Sequence, residues 1–115
     1  MASLFELQCT FSRLLPKLID KAAEMGFNVT MGETWRSTAT ARVYAEQHKG
    51  IPNSLHIERL AVDINLFQGD TYISDSAAYE PLGVFWESLH PLARWGGRFA
   101  KPDGDHFSLE YEGRR

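Results

Sequence analysis

The chain has 115 residues, 43% of them hydrophobic and 23% charged, which is enough to bury a core without staples and excludes disordered, repetitive and fibrous classes. The formal net charge is −3, and the 12 Lys and Arg are scattered among 15 Asp and Glu, which argues against nucleic-acid binding and against broad adhesion to anionic membranes. The single cysteine, Cys9, excludes an intrachain disulfide and reads as a small packed hydrophobe.

The N-terminal MASLFELQC lacks the basic and apolar regions of a secretory signal. No run approaches the ~18–20 apolar residues of a membrane span. The expectation is a chain made in a cytosol and not inserted in a membrane. Residues 3–25 read as a helix, with Ser3 and Glu6 spaced as a capping box and Leu14, Leu15, Leu18, Ile19 and Ala22 recurring on one side. Pro16 interrupts this pattern, so either the helix kinks there or its main body begins near Ser12. Gly26 is a C-terminal stop.

Phe27, Val29 and Met31 alternate with polar residues, the mark of a half-buried strand. This strand delivers Glu33, Trp35 and Arg36 to its end, where Ser37 is placed to cap a helix over 38–48. A guanidinium at such a junction presents its planar fork to a carboxylate, either that of a ligand or that of a surface salt bridge. Gly50-Ile-Pro-Asn-Ser is a loop by composition.

In the segment 60–67 Leu60, Val62, Ile64 and Leu66 fall on one face, and Ala61, Asp63, Asn65 and Phe67 on the other. The first face is core, so Asp63 points away from it and needs a partner. Gln68-Gly-Asp-Thr reads as a hairpin turn leading into a short strand at Tyr72-Ile73. A helix from Tyr79 to Ser88 carries a packing stripe of Leu82, Phe85 and Trp86, which Leu89 continues. His48 and His90 read as solvent or capping groups. The glycines of Trp95-Gly-Gly-Arg-Phe permit close backbone approach. In the closing strand 106–111, His106, Ser108 and Glu110 form a polar face opposite a buried Phe107, Leu109 and Tyr111.

Three residues stand out chemically. His56 and Asp63 lie seven positions apart, and His106 arrives late; two imidazoles and a carboxylate are the donor set of a catalytic zinc, which leaves a fourth position to water. If strand 106–111 pairs with 60–67, the three converge. Asp103 and Asp105 both lie near enough to act as a base. Alternation along an extended chain turns Asp105 away, whereas Asp103 can fold back across Gly104. Glu110 is a second choice.

The run SxHxxxxAxD at Ser54–Asp63, the later DGDHF at Asp103–Phe107 and the upstream Glu33-Thr-Trp-Arg36-Ser37 together resemble the zinc peptidases that cleave peptidoglycan stems. That family holds D-Ala-D-Ala carboxypeptidases and dipeptidases and the phage L-alanyl-D-glutamate endopeptidases. The likeness runs from Phe27 to Tyr111 and is greatest to the small phage endolysins. It implies His56, Asp63 and His106 as zinc ligands, Asp103 as general base, and Arg36 and Ser54 as substrate-binding residues. Where the family often has glycine three residues after the first histidine, this chain has Arg59.

The expectation is therefore an α+β fold over residues 1–115, one zinc peptidase domain in which helices pack on a small antiparallel sheet, as the resemblance to D-Ala-D-Ala peptidases and the Hedgehog signalling domain implies. The expected substrate is the peptidoglycan stem peptide, cut between L-Ala and D-Glu by a monomer. The resemblance implies that a phage holin brings such an enzyme across the membrane to the wall. The rival readings are a D,D-carboxypeptidase that releases terminal D-Ala and a non-catalytic metal-binding wall or structural module.

Overall fold

Ser3 caps the first helix by accepting a hydrogen bond from the Glu6 backbone N–H at 3.1 Å, and the helix then runs unbroken as α1 (Leu4–Glu24). The computed structural model describes residues 2–50 and 53–115. Of the two alternatives for Pro16, a start near Ser12 is not what forms: the helix passes through Pro16, which lies on the solvent face. There the carbonyl that a residue-16 N–H would have met is open to water. At the other end Gly26 adopts φ 91°, and Phe27 N–H returns to the Ala22 carbonyl at 3.0 Å, a Schellman stop. Leu7, Phe11, Leu14, Leu18 and Ala22 form the buried stripe.

That stripe packs on an antiparallel sheet with strand order β1-β2-β5-β4, where β1 is Asn28–Met31, β2 Ala61–Gln68, β4 Ala93–Trp95 and β5 His106–Leu109. A fifth strand, β3 (Thr71–Tyr72), folds back on β2 through a two-residue turn. Gly69 in that turn has φ 62°, as the first position of a II′ hairpin requires. The architecture is α+β. Leu60, Val62, Ile64 and Leu66 are fully buried, as their alternation predicts.

α2 (Thr38–Glu46) begins at Ser37, whose hydroxyl accepts from Thr40 N–H at 3.0 Å. α3 (Glu80–Ser88) follows a short 3-10 turn and brings Trp86 into the core. The Trp86 ring sits edge-on to Phe11 and Phe107, with centroids 5.7 and 6.2 Å away, and its Nε1–H donates to the Ser108 carbonyl at 3.0 Å. Helix, sheet and second helix thus meet at one indole. Ile51 and Pro52 of the expected 50–54 loop lie outside the described residues.

Two expectations about the closing strand need correction. β5 stops at Leu109, because Glu112 and Gly113 take φ 50° and 75° in a tight turn that joins Tyr111 to Arg114. Its predicted polar face is not open either, since all four residues of β5 are buried. The reason is non-local: β5 lies between β2 and β4, which place Ala61 and Arg94 on either side of Ser108.

Candidate active site

Strand pairing does the first half of the assembly. β2 and β5 are antiparallel with Asp63 directly opposite His106, so the two side chains leave the sheet on the same face. Asp63 is also gripped from the other edge, where its N–H donates to the Glu33 carbonyl and its own carbonyl accepts from Gly32 N–H, both at 2.8 Å. Gly32 eases this approach, since a Cβ there would lie 3.0 Å from both the Cβ and the carbonyl oxygen of Asp63.

His56 comes from a turn, not a strand. The Ser54 hydroxyl accepts from His56 N–H at 3.2 Å, and Ile57, Glu58 and Arg59 N–H groups donate to the carbonyls of Ser54, Leu55 and His56 in succession. Arg59 ends this turn with φ 57°. The backbone that glycine favours is therefore kept without glycine, and the guanidinium lies over the Trp35 ring at 5.0 Å. Arg36 N–H closes the loop from outside by donating to the His56 carbonyl at 3.2 Å.

His56, Asp63 and His106 are brought together. His56 Nε2 lies 3.4 Å and His106 Nδ1 3.6 Å from the same oxygen, Asp63 Oδ1. That oxygen is buried and makes no hydrogen bond among the described residues. The far nitrogen of His56, Nδ1, faces the Thr34 carbonyl at 3.3 Å, which directs the Nε2 lone pair inward when Nδ1 carries the proton. An unpartnered buried carboxylate oxygen with two imidazole nitrogens turned toward it is a donor set that fits zinc.

The electrostatics agree. Burial alone would raise the Asp63 carboxyl, but the His106 and His56 imidazoles outweigh it and hold the group at about 2. Burial works to lower His56, yet the Asp63 carboxylate, then Glu33 and the Thr34 carbonyl, leave it above its ordinary 6.5. The cluster stabilises positive charge at its centre.

Asp103 is exposed at the rim of the same pocket. Asp105 does not turn away as alternation predicts: Asp63, Asp103 and Asp105 each bring a carboxylate oxygen within 4.8 Å of the others. Alternation fails because residues 103–106 form a turn, in which His106 N–H donates to the Asp103 carbonyl at 3.1 Å. Burial, and next the neighbouring Asp103 carboxylate, push the Asp105 carboxyl up to about 7. The turn is held by Asp103 N–H on the Gly96 carbonyl at 2.9 Å, by Gly104 N–H on Ser76 Oγ at 3.0 Å and by Trp95 Nε1–H on the Gly104 carbonyl at 2.7 Å.

Arg36 lines the pocket with its guanidinium 5.0 Å over Tyr44, and its Nε and Nη2 both bind Glu33 Oε1, the former at 2.8 Å. Ser54 also lines the pocket, although its hydroxyl is engaged with the His56 backbone. Glu110 is elsewhere, paired with Arg94 and Arg115 at 3.3 Å. His90 Nδ1 accepts from Leu92 N–H at 3.0 Å, a capping role. His48 is exposed on the pocket wall. Sequence reasoning assigned no role to three contributors. Glu33, whose i,i+3 spacing to Arg36 was a usable signal, links Arg36 and His56. Phe99, which lies 5.4 Å from the His106 ring, and Lys101 on the wall carry no local signal at all.

A model of the D-alanyl-D-alanine carboxypeptidase family matches residues 47–109, a span that includes Ser54, His56, Asp63, Asp103 and His106. Among solved structures, the Serratia marcescens L-Ala D-Glu endopeptidase ChiX is similar in fold, with a TM-score of 0.68 over 84% of this chain and 77% of that one, at 22% identity. No curated protein matches significantly. Among the described residues no helix is long and apolar enough to cross a membrane.

Proposed function

The chain belongs to the D-alanyl-D-alanine carboxypeptidase family, and from that premise we propose that it hydrolyses the amide between L-Ala and D-Glu in peptidoglycan stem peptides. The observation that carries this reading is the convergence of His56 Nε2, Asp63 Oδ1 and His106 Nδ1 on the floor of an open pocket of about 520 Å³, with Asp103 on its rim. His56, Asp63 and His106 would hold a zinc ion. Zinc bound there supplies a Lewis acid that polarises the scissile carbonyl and lowers the pKa of a water.

The remaining steps belong to side chains. Asp103 takes a proton from the water as its oxygen adds to the carbonyl carbon, then returns that proton to the amine nitrogen as the C–N bond breaks. Arg36 holds a carboxylate of the stem and so fixes the amide relative to Asp103. Glu33 holds the Arg36 fork. The turn from Ser54 to Arg59 holds His56. In the phage-type form of this reading the enzyme is a monomer that reaches the wall after a holin opens the membrane.

A second reading, release of terminal D-Ala, is favoured by the family's own description. Mass spectrometry of purified peptidoglycan digested with zinc-loaded protein, beside a chelated control, separates the two. Chelator-sensitive products ending in L-Ala are expected; loss of D-Ala alone would favour the carboxypeptidase. No products from a protein that binds one zinc would leave a binding module. Asp103→Asn is expected to keep zinc and to lose about 10²–10⁴-fold in turnover.

A further inference from the structure

The pocket is cationic although the chain is acidic. Arg36 and Lys49 stand on the wall next to α2, Lys101 stands on the segment that leads to Asp103, and Arg115 also lines the pocket but is paired with Glu110 at 3.3 Å. Asp63 and Asp103 are the only lining residues with side-chain carboxylates among the described residues. Asp63 is already enclosed by two imidazoles. Arg36 contributes less free charge than its position suggests, because two of its three nitrogens are on Glu33. Its remaining Nη1 lies against Gly50, where a Cβ would be 3.2 Å away. Lys49 and Lys101 make no salt bridge and no side-chain hydrogen bond among the described residues.

Lys101 differs from Lys49 in what holds it. Its segment is fixed at both ends, by Phe99 and Asp103 N–H groups that share the Gly96 carbonyl at 3.1 and 2.9 Å, and by the Phe99 ring on His106. Pro102, with its locked φ, separates Lys101 from Asp103. On the proposed mechanism Asp103 delivers its proton to the leaving amine. A cation two residues from Asp103 on the same anchored segment therefore belongs to the leaving-group side of the cut.

We propose, resting on the L-Ala-D-Glu reading above, that Lys101 is a specificity residue whose ammonium group receives the free α-carboxylate of the glutamate that carries the leaving nitrogen. In a stem linked through the glutamate side chain, that carboxylate sits on the carbon bonded to the leaving amine. It is an anion in unamidated stems and a neutral amide in amidated ones. The preferred substrate is then an unamidated stem peptide with at least two carboxylates, one for Arg36 and one for Lys101.

The test uses two synthetic L-Ala-γ-D-Glu stem peptides, identical except that the glutamate α-carboxyl is free or amidated, with zinc-loaded wild type, Lys101→Met and Lys101→Arg. A charge-assisted contact predicts that wild type prefers the free carboxylate by about tenfold or more in kcat/KM, expressed mainly in KM. The ratio is expected to collapse toward one in Lys101→Met and to recover in Lys101→Arg. Lys101 is exposed, and thermal melts identical to wild type establish that the variants are folded. Equal turnover of the two peptides by wild type, or a ratio that Lys101→Met leaves intact, overturns the proposal while the peptidase reading stands. Turnover of neither peptide, with zinc bound, overturns both.

Discussion

Gly96→Ala tests whether the site is set by backbone packing behind the turn that carries Asp103 and His106. A Cβ at this position would lie 2.1 Å from the Asp103 carbonyl oxygen and 2.8 Å from the His106 Cβ. Comfortable contact lies near about 3.5 Å, so the two backbones must separate by roughly 1 Å. Neither is free to yield without loss, because Asp103 N–H and Phe99 N–H both bind the Gly96 carbonyl. Overpacking of this kind costs about 1–3 kcal/mol, and a strained hydrogen bond adds about 1 kcal/mol. The displacement falls on the turn that carries Asp103 and His106, and a 1 Å error in reacting geometry is worth about 10²-fold in rate. Urea unfolding of the zinc-free variant should show a loss of about 2–4 kcal/mol, and competition with a chromophoric chelator should show weakened zinc affinity. A Gly96→Ala protein with the unfolding midpoint and zinc affinity of wild type would refute the packing argument.

Trp86→Phe should cost about 2–3 kcal/mol, since it leaves the buried Ser108 carbonyl without its indole donor, yet zinc affinity of the folded variant should be unchanged; weakened zinc binding would mean that core and site are coupled. Asp105 supplies a pH test in chelator. Its folded value, about 7, lies above the ordinary ~3.9 of an unfolded aspartate, so its favourable contribution is complete below about pH 4 and disappears as pH rises through 7. Wild type should lose about 1–2 kcal/mol from this half-buried group between pH 4 and 8 after discounting for solvent screening, and Asp105→Asn should flatten that decline; an unchanged slope would count against it. His56, also raised, adds to the loss in the same direction, whereas the contribution of Asp63, held at about 2, is lost only below about pH 4. Arg59→Val should destabilise by about 1–2 kcal/mol, because a β-branched side chain resists the positive φ, while thermal melts of Arg59→Gly should show no comparable loss.

The elements that could be read from sequence are those whose signal is local. Ser3 with Glu6, and Gly26 after Glu24, bound α1 because caps act within one turn. Leu60, Val62, Ile64 and Leu66 mark β2 because burial on one face imposes a period of two. The grouping of His56, Asp63 and His106 was legible only through the joint pattern of motifs, since a histidine and an aspartate seven apart are common. The missed features depend on neighbours distant in sequence. Ser108 is buried because β4 and β2 flank it, and Asp105 meets Asp63 because 103–106 turns instead of extending. Likewise, nothing around Lys101 signals that its segment will be tied to Gly96.

The site holds a conflict that the rest of the fold sustains. Three carboxylates, from Asp63, Asp103 and Asp105, are gathered within 4.8 Å, and one of them, Asp105, is driven toward neutrality, first by burial and next by the neighbouring Asp103 carboxylate. Two imidazoles are buried beside them, and the inward oxygen of Asp63 has no hydrogen bond among the described residues. The crowding of the carboxylates does not favour the metal-free fold, and it could be relieved by a small movement of the 103–106 turn. That movement is blocked at Gly96, at Ser76 and at Trp95, and the opposite strand is clamped by Gly32 and Glu33. Local rules are broken together at one place while packing around it is complete, as expected where function opposes stability. A divalent cation among these groups would offset the repulsion at once. The same rigidity that makes the cluster costly would keep its geometry ready for an ion, so zinc affinity and resistance of the turn to displacement should rise and fall together.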